Sequence, residues 1–146
     1  MKLHQLSVFL ENKPGQLVQP ARVLAEAGIN IVTLSVADTQ QFGILRLIVK
    51  DWEDAQAALE KAGCVVNVAE VVGIEVPDQP GGLVHLLDKI DRAEINVEYM
   101  YAFSDKMENT GVLVFRFEDT DTAIERLLAA GVDIVGAVEL YKRLDA

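Results

Sequence analysis

Cysteine occurs once in this chain of 146 residues, at position 64. A lone thiol excludes an internal disulfide framework and fits a reducing compartment, so the expected location is cytoplasmic. No apolar run reaches the roughly 18 residues that a membrane-spanning helix requires, so no membrane partner is expected. The amino terminus, MKLHQLSVFL, lacks a small-residue cleavage site and reads as a strand. Basic side chains are in deficit, 13 Lys and Arg against 23 Asp and Glu, for a net charge of −10. A nucleic-acid partner calls for clustered cations against phosphate, so that class is set aside. The deficit is uneven. Residues 1–70 carry six basic and eight acidic groups, net −2, whereas residues 71–146 carry seven and fifteen, net −8.

Groups suited to catalysis are also scarce. The two histidines, His4 and His85, stand in no motif, and a catalytic histidine needs an orienting partner. There is no CxxC, HExxH or Walker lysine pattern, and QPGGLV is not GxGxxG. Cys64 lies in an apolar strand and reads as a small core residue. Asp119 and Asp121 open a helix, where carboxylates suit the dipole. The chain therefore reads as a non-enzyme with no catalytic residue, no metal site and no cofactor.

What is present is a repeat. Hydrophobic residues make up 51% of the chain, ample for a core. ENKPGQL, Glu11 to Leu17, has a counterpart in PDQPGGL, Pro77 to Leu83. Pro14, Gly15 and Leu17 return at an offset of 66 as Pro80, Gly81 and Leu83, and AGIN at 27–30 returns as AEIN at 93–96. Two extra residues then enter, and Gly43, Asp51, Leu59 and Gly63 return at 68 as Gly111, Asp119, Leu127 and Gly131. The chain is thus expected to hold two modules, residues 1–70 and 71–146, each near the lower size for a single core.

Each module reads β-α-β-β-α-β. In the first, LHQLSVFL is a strand, and Gly15 to Ala27 is a helix with Leu17, Ala21, Leu24 and Ala25 on its buried face. Pro20 is tolerated near the first turn, and Gly28 is the stop. INIVTLSVA and FGILRLIV are strands. Asp51 is the expected N-cap of a second helix with Ala55, Ala58, Leu59 and Ala62 inward, and CVVNVAEV is the last strand. In the second module VVGIEV leads to a helix over Gly81–Arg92 with Leu83, Leu87 and Ile90 inward. INVEYMYAF, GVLVFRF, a helix over Thr120–Ala130 and a strand VDIVGAVELY follow. This order is the α+β, ferredoxin-like arrangement. The strands around residues 64–76 are read as running from one module into the next.

The repeated turn sits where a strand ends and a helix begins. The first N–H groups of a helix lack intrahelical partners and carry partial positive charge, a setting that suits a carboxylate. Gly15 lacks a Cβ and admits close approach to its N–H. Asn12 offers both donor and acceptor, and Asn30 opens the next strand. Such a constellation describes a free amino acid, though Pro14-Gly15 also reads as an ordinary turn with Asn12 as its cap.

With its Asn-x-Pro-Gly-x-Leu followed by Ala-Gly-Ile-Asn-Ile, the chain resembles the ACT domain, a small ligand-binding regulatory module of amino-acid metabolism, in two tandem copies. The second copy is looser, with Asp78 for Asn12 and Glu94 for Gly28. The resemblance implies side-by-side modules forming an eight-stranded antiparallel sheet with helices on one face. It implies an amino acid held at a module interface, a homodimer or larger homo-oligomer, and a regulated protein partner. It places the ligand at Asn12, Lys13, Pro14, Gly15, Gln16 and Leu17, with Asn30 reaching from across the interface. The second copy would use Asp78, Pro80, Gly81, Gly82, Leu83 and Asn96. In serine-sensing relatives a histidine stands two positions before the motif Asn. Here that position is Leu10, and Val76 in the second copy, which favours a more apolar ligand. Asp78 would repel a carboxylate. The competing expectation is an interaction or dimerisation module with a vestigial site. Of Tyr99, Met100 and Tyr101, alternation puts about half in the core.

Overall fold

The computed structural model describes residues 1–105 and 109–144. They form seven strands and five helices: β1 Leu3–Glu11, α1 Val18–Glu26, β2 Ile31–Asp38, β3 Phe42–Val49, α2 Trp52–Lys61, β4 Val65–Pro77, α3 Gly82–Arg92, β5 Val97–Asp105, β6 Thr110–Phe117, α4 Thr120–Ala129, β7 Ile134–Val135 and α5 Ala137–Leu144. Seven strands replace the expected eight because β4, thirteen residues long, is both the last strand of the first repeat and the first of the second. The chain divides into two compact units. One spans His4–Ala69, and the other joins Met1–Leu3 to the chain from Glu70 onward. Lys2 explains why the first residues go with the second unit: its Nζ lies 2.9 Å from Glu70 and 2.7 Å from Asp121. Asp121, then Glu70, pushes the Lys2 ammonium up to about 12.

In the first unit the strand order is β2-β3-β1-β4, and the paired strands β1–β3 and β2–β3 are antiparallel. Leu6 and Leu34 both stand opposite Leu47, and Val8 and Val36 opposite Leu45, so these residues share one face. That face packs on α1 and α2 through Leu24, Ala55 and Leu59. The second unit has the same order, β5-β6-β4-β7, with Val72 and Met100 opposite Phe115. Its core joins Ile74, Leu86, Ile90, Phe115, Phe117 and Leu127. Met100 packs on this core, while Tyr99 and Tyr101, opposite Arg116 and Val114, point to the other side of the strand, as alternation requires.

Three expectations are corrected. The stretch 132–141 is not one strand: β7 has two residues, and α5 begins after Gly136. Glu139 in the first turn and Lys142 and Arg143 in the last complement the helix dipole, and Glu139 pairs with Arg143 one turn on. The first helix starts at Val18, not Gly15. Proline has no N–H, so Pro20 cannot bond the Gln16 carbonyl, and the first helical bond falls to Ala21 and Leu17. In α3 no proline intervenes, and the His85 N–H reaches the Gly81 carbonyl at 3.1 Å. The buried stripes are also narrower. On α1 only Pro20 and Leu24 are buried, and on α3 Leu86 is buried while Leu83 is exposed.

The caps distinguish the two copies. At the end of α1 the Gly28 N–H bonds the Ala25 carbonyl at 3.0 Å and the Ile29 N–H bonds Leu24 at 2.9 Å, with Gly28 at φ +72°. Glu94 carries the matching left-handed turn after α3 at φ +54°, a conformation that disfavours a Cβ. Asp51 stands at the N-cap of α2 without a side-chain bond, whereas Asp119 caps α4 by accepting from the Thr122 N–H at 3.1 Å and its hydroxyl at 2.8 Å. These bonds hold the Asp119 carboxyl below its ordinary value of 3.8.

Two predictions follow from these caps. Glu94→Gly is expected to stabilise the chain by about 1 kcal/mol, read as a higher urea midpoint with unchanged slope. Asp119→Ala should lower the thermal midpoint at pH 7. Because the native carboxyl titrates below its unfolded value, its stabilisation is present above pH 3.8 and fades as pH falls through the native value. The gap between wild type and variant should therefore close on acidification, and a gap that widens would contradict this cap.

Candidate functional site

In the first module β1 ends at Glu11 and the chain turns through Pro14–Leu17. Asn12 is anchored rather than free to swing. Its backbone N–H bonds the Gln41 carbonyl and its side-chain Nδ2 the Gln40 carbonyl, both at 2.9 Å, so it ties the turn to the β2–β3 hairpin. That leaves the Asn12 Oδ1 as the acceptor it can offer a ligand. Lys13 pairs with Glu11 at 2.8 Å, with both side chains more than half exposed, so the pair contributes little to stability. Pro14 and Gly15 are exposed and Gln16 is half-buried. Gly15 adopts φ +89° with nothing within 4 Å of where a Cβ would stand, so its backbone is open to approach. No side chain caps α1.

Leu17 connects this turn to an apolar cleft of about 230 Å³ between α1 and β2. Ala21 and Leu24 line it from the helix, and Ile31, Leu34 and Val36 from the strand. Leu45 and Leu47 of β3 complete the lining. Leu17, Leu34 and Val36 are each about half exposed, at 50, 51 and 50%. Among the described residues β2 pairs only with β3, so the cleft lies along an edge strand. Sequence reasoning missed this feature. It took Ala21 as buried helix face and left the inward side of β2 unspecified. The signal was there in the alternation of Leu34 and Val36 on a strand whose far neighbour the sequence does not name.

Asn30 is exposed, but it precedes β2, whereas Asn12 is bonded beyond the other end of that strand. Eight residues of strand put them roughly 25 Å apart, so one module does not bring both to one ligand. Leu10 is a core residue.

The second turn is built differently. Gly81 repeats the φ of +89°, but the helix starts at once with Gly82. The Gly82 N–H is taken by the Gln79 carbonyl at 3.1 Å, and a Cβ there would lie 2.5 Å from the Pro77 carbonyl oxygen. Asp78 has no side-chain donor, and its backbone N–H lies 3.4 Å from the Asn109 carbonyl. Pro80 and Leu83 are exposed, and Asn96 donates to Glu118 at 3.4 Å.

The residues weighed as catalytic have structural surroundings. His4 stacks on Trp52 with ring centroids 4.4 Å apart. His85 is exposed on α3. Cys64 packs against the first core, and burial raises its thiol pKa, which disfavours the thiolate. Among the described residues no cluster of His, Cys, Asp or Glu could hold a metal ion, and no helix is long and apolar enough to cross a membrane.

Comparison with known proteins bears on the family and the fold. The ACT domain pair matches residues 1–144. The chain belongs to the ACT domain family. This ACT domain pair is similar to protein BT0572 from Bacteroides thetaiotaomicron, at 41% identity and a TM-score of 0.89 over 97% of each chain. It shares its fold with the regulatory subunits of aspartate kinase from Thermus thermophilus and Thermus flavus. Identities are 16 and 17%, with TM-scores of 0.63 and 0.57. These cover 89% of the ACT pair in both cases, and 93 and 94% of the subunits. No curated protein matches the chain. ACT domain pairs are typical of amino-acid-sensing regulatory proteins.

The two turns of the ACT pair should respond differently to substitution. Gly82→Ala forces a Cβ against backbone and is expected to cost about 1–3 kcal/mol. Gln16→Ala at the equivalent position should stay within about 0.5 kcal/mol. Urea unfolding of both variants checks this, and equal effects would mean the turns are not distinct.

Proposed function

We propose that this ACT domain pair is a non-enzymatic sensor that binds a free amino acid at the Pro14–Leu17 turn and regulates amino-acid metabolism. The observation that carries the reading is the first turn: a left-handed Gly15 with open space around its backbone, beside an uncapped helix start and a fixed Asn12. Backbone N–H groups at the start of α1 suit the ligand carboxylate, and the Asn12 Oδ1 suits the ammonium. Pro20 adds to this by delaying the first helical bond. Membership of the ACT family supports the regulatory role. Likeness to subunits named as regulatory in aspartate kinase supports the fold on which such a role rests. The protein acts in the cytoplasm as a homo-oligomer, and binding is coupled to a protein partner at about 1–3 kcal/mol, the usual range of effector coupling.

Thermal unfolding against each of the twenty amino acids at millimolar concentration tests the reading. A ligand at a hundred times its dissociation constant adds about 2.7 kcal/mol. At roughly 2–4 °C per kcal/mol for a chain of this size, the midpoint should rise by several degrees for one amino acid or one side-chain class. The amide of the same amino acid, lacking the carboxylate, should give no shift. Absence of any response across the panel would refute the sensor and favour a dimerisation module with a vestigial site.

A further inference from the structure

The two modules can be superposed residue by residue through their own ladders. Leu34 stands opposite Leu47 in the first module, and Met100 opposite Phe115 in the second, so the offsets of 66 and 68 found in the sequence hold in the strand register. Ala21, Leu34 and Leu47, which line the first module's cleft, therefore correspond to Leu87, Met100 and Phe115. Ala21 to Leu87 and Leu47 to Phe115 are enlargements, and Leu34 to Met100 conserves volume. Phe115 is fully buried, and Leu87 and Met100 pack against the same core. Beside α3 the positions that border the open space beside α1 thus hold side chains packed on the module's own core. Two substitutions run the other way, Ile31 to Val97 and Val36 to Ala102.

We propose that the first module's cleft receives the apolar side chain, aliphatic or aromatic, of the bound amino acid, and that each chain carries one such site because the second module has filled its own. This rests on the sensor reading above and names its ligand class and stoichiometry. Every lining residue is apolar, so a polar or charged side chain would lose its hydration there without a partner. The volume of about 230 Å³ is below the roughly 300 Å³ at which drug-sized ligand pockets begin, and suits a single side chain. Leu17 belongs both to the turn that would hold the charged end and to the cleft wall, so one small zwitterion can span the two.

Calorimetric titration of the full chain with leucine, isoleucine, valine, methionine and phenylalanine, beside glycine, serine, lysine and glutamate, tests the proposal. Binding is expected only in the apolar group, with one ligand per chain. Ala21→Leu, which copies the second module, should weaken it about tenfold or more, as expected for an apolar pocket altered by one or more methylene groups. The unliganded melting midpoint should stay or rise. If Ala21→Leu shows no cooperative unfolding, Leu34→Phe at the exposed strand edge fills the same space and carries the test. Two ligands per chain, or apolar binding untouched by both fillings, would overturn the proposal. Tight binding of a polar amino acid would overturn it while leaving the sensor standing. A panel with no binding would overturn both.

Discussion

Burial of one face of a small antiparallel sheet beneath two helices is the constraint on which each half of this protein depends. About seventy residues can bury only a modest core, so each module places its largest apolar side chains on one side of its strands. Leu6, Val8, Leu45 and Leu47 meet Leu24 and Leu59 in the first module. Val72, Ile74, Leu113 and Phe115 meet Leu86, Ile90 and Leu127 in the second. The left-handed glycines that close the helices, Gly28, Gly63 and Gly131, and those that open them, Gly15 and Gly81, then let the chain reverse in the few residues available.

On this shared frame the two turns differ in where the following helix begins. Pro20 cannot give a hydrogen bond to Gln16, and α1 begins three residues after Gly15. Leu86 holds the matching place in α3, which begins directly after Gly81. The first turn keeps unobstructed backbone, and the second packs Gly82 against the Pro77 carbonyl. Asn12 and Asp78 diverge in the same direction. Asn12 ties its turn to the neighbouring hairpin through its backbone N–H and its side-chain amide and keeps an acceptor, whereas the Asp78 carboxylate brings charge and no donor.

The same logic extends to the clefts. In a repeat, a pocket is maintained only if the side chains around it stay small. Ala21 in the first module against Leu87 in the second is the clearest case, since both stand at one position of equivalent helices. Filling a cleft with methylene groups stabilises the module that does so and removes its capacity to bind.

The sequence by itself determined the twofold repeat, the β-α-β-β-α-β order, the turn glycines and the membership of the ACT family. All of these are carried by local spacing: apolar residues at helical or alternating periods, and glycines where the backbone must go left-handed. The run of β4 through the middle of the chain was legible for the same reason, as two apolar strand patterns, CVVNVAEV and VVGIEV, that adjoin with no loop between them. The late start of α1 was not, although Pro20 was in plain view, because a proline in the first turn of a helix is ordinarily tolerated. Nor was α5 legible, since VDIVGAVELY alternates well enough to pass for a strand. Tertiary structure alone decided that Asn12 spends its amide donor on Gln40, that Asn30 stands at the far end of β2, and that Leu34 and Val36 border an open cleft instead of a packed core. Those facts depend on which strand lies beside which, and on what volume the neighbouring helix leaves unfilled, and neither is written in the spacing of residues along one strand.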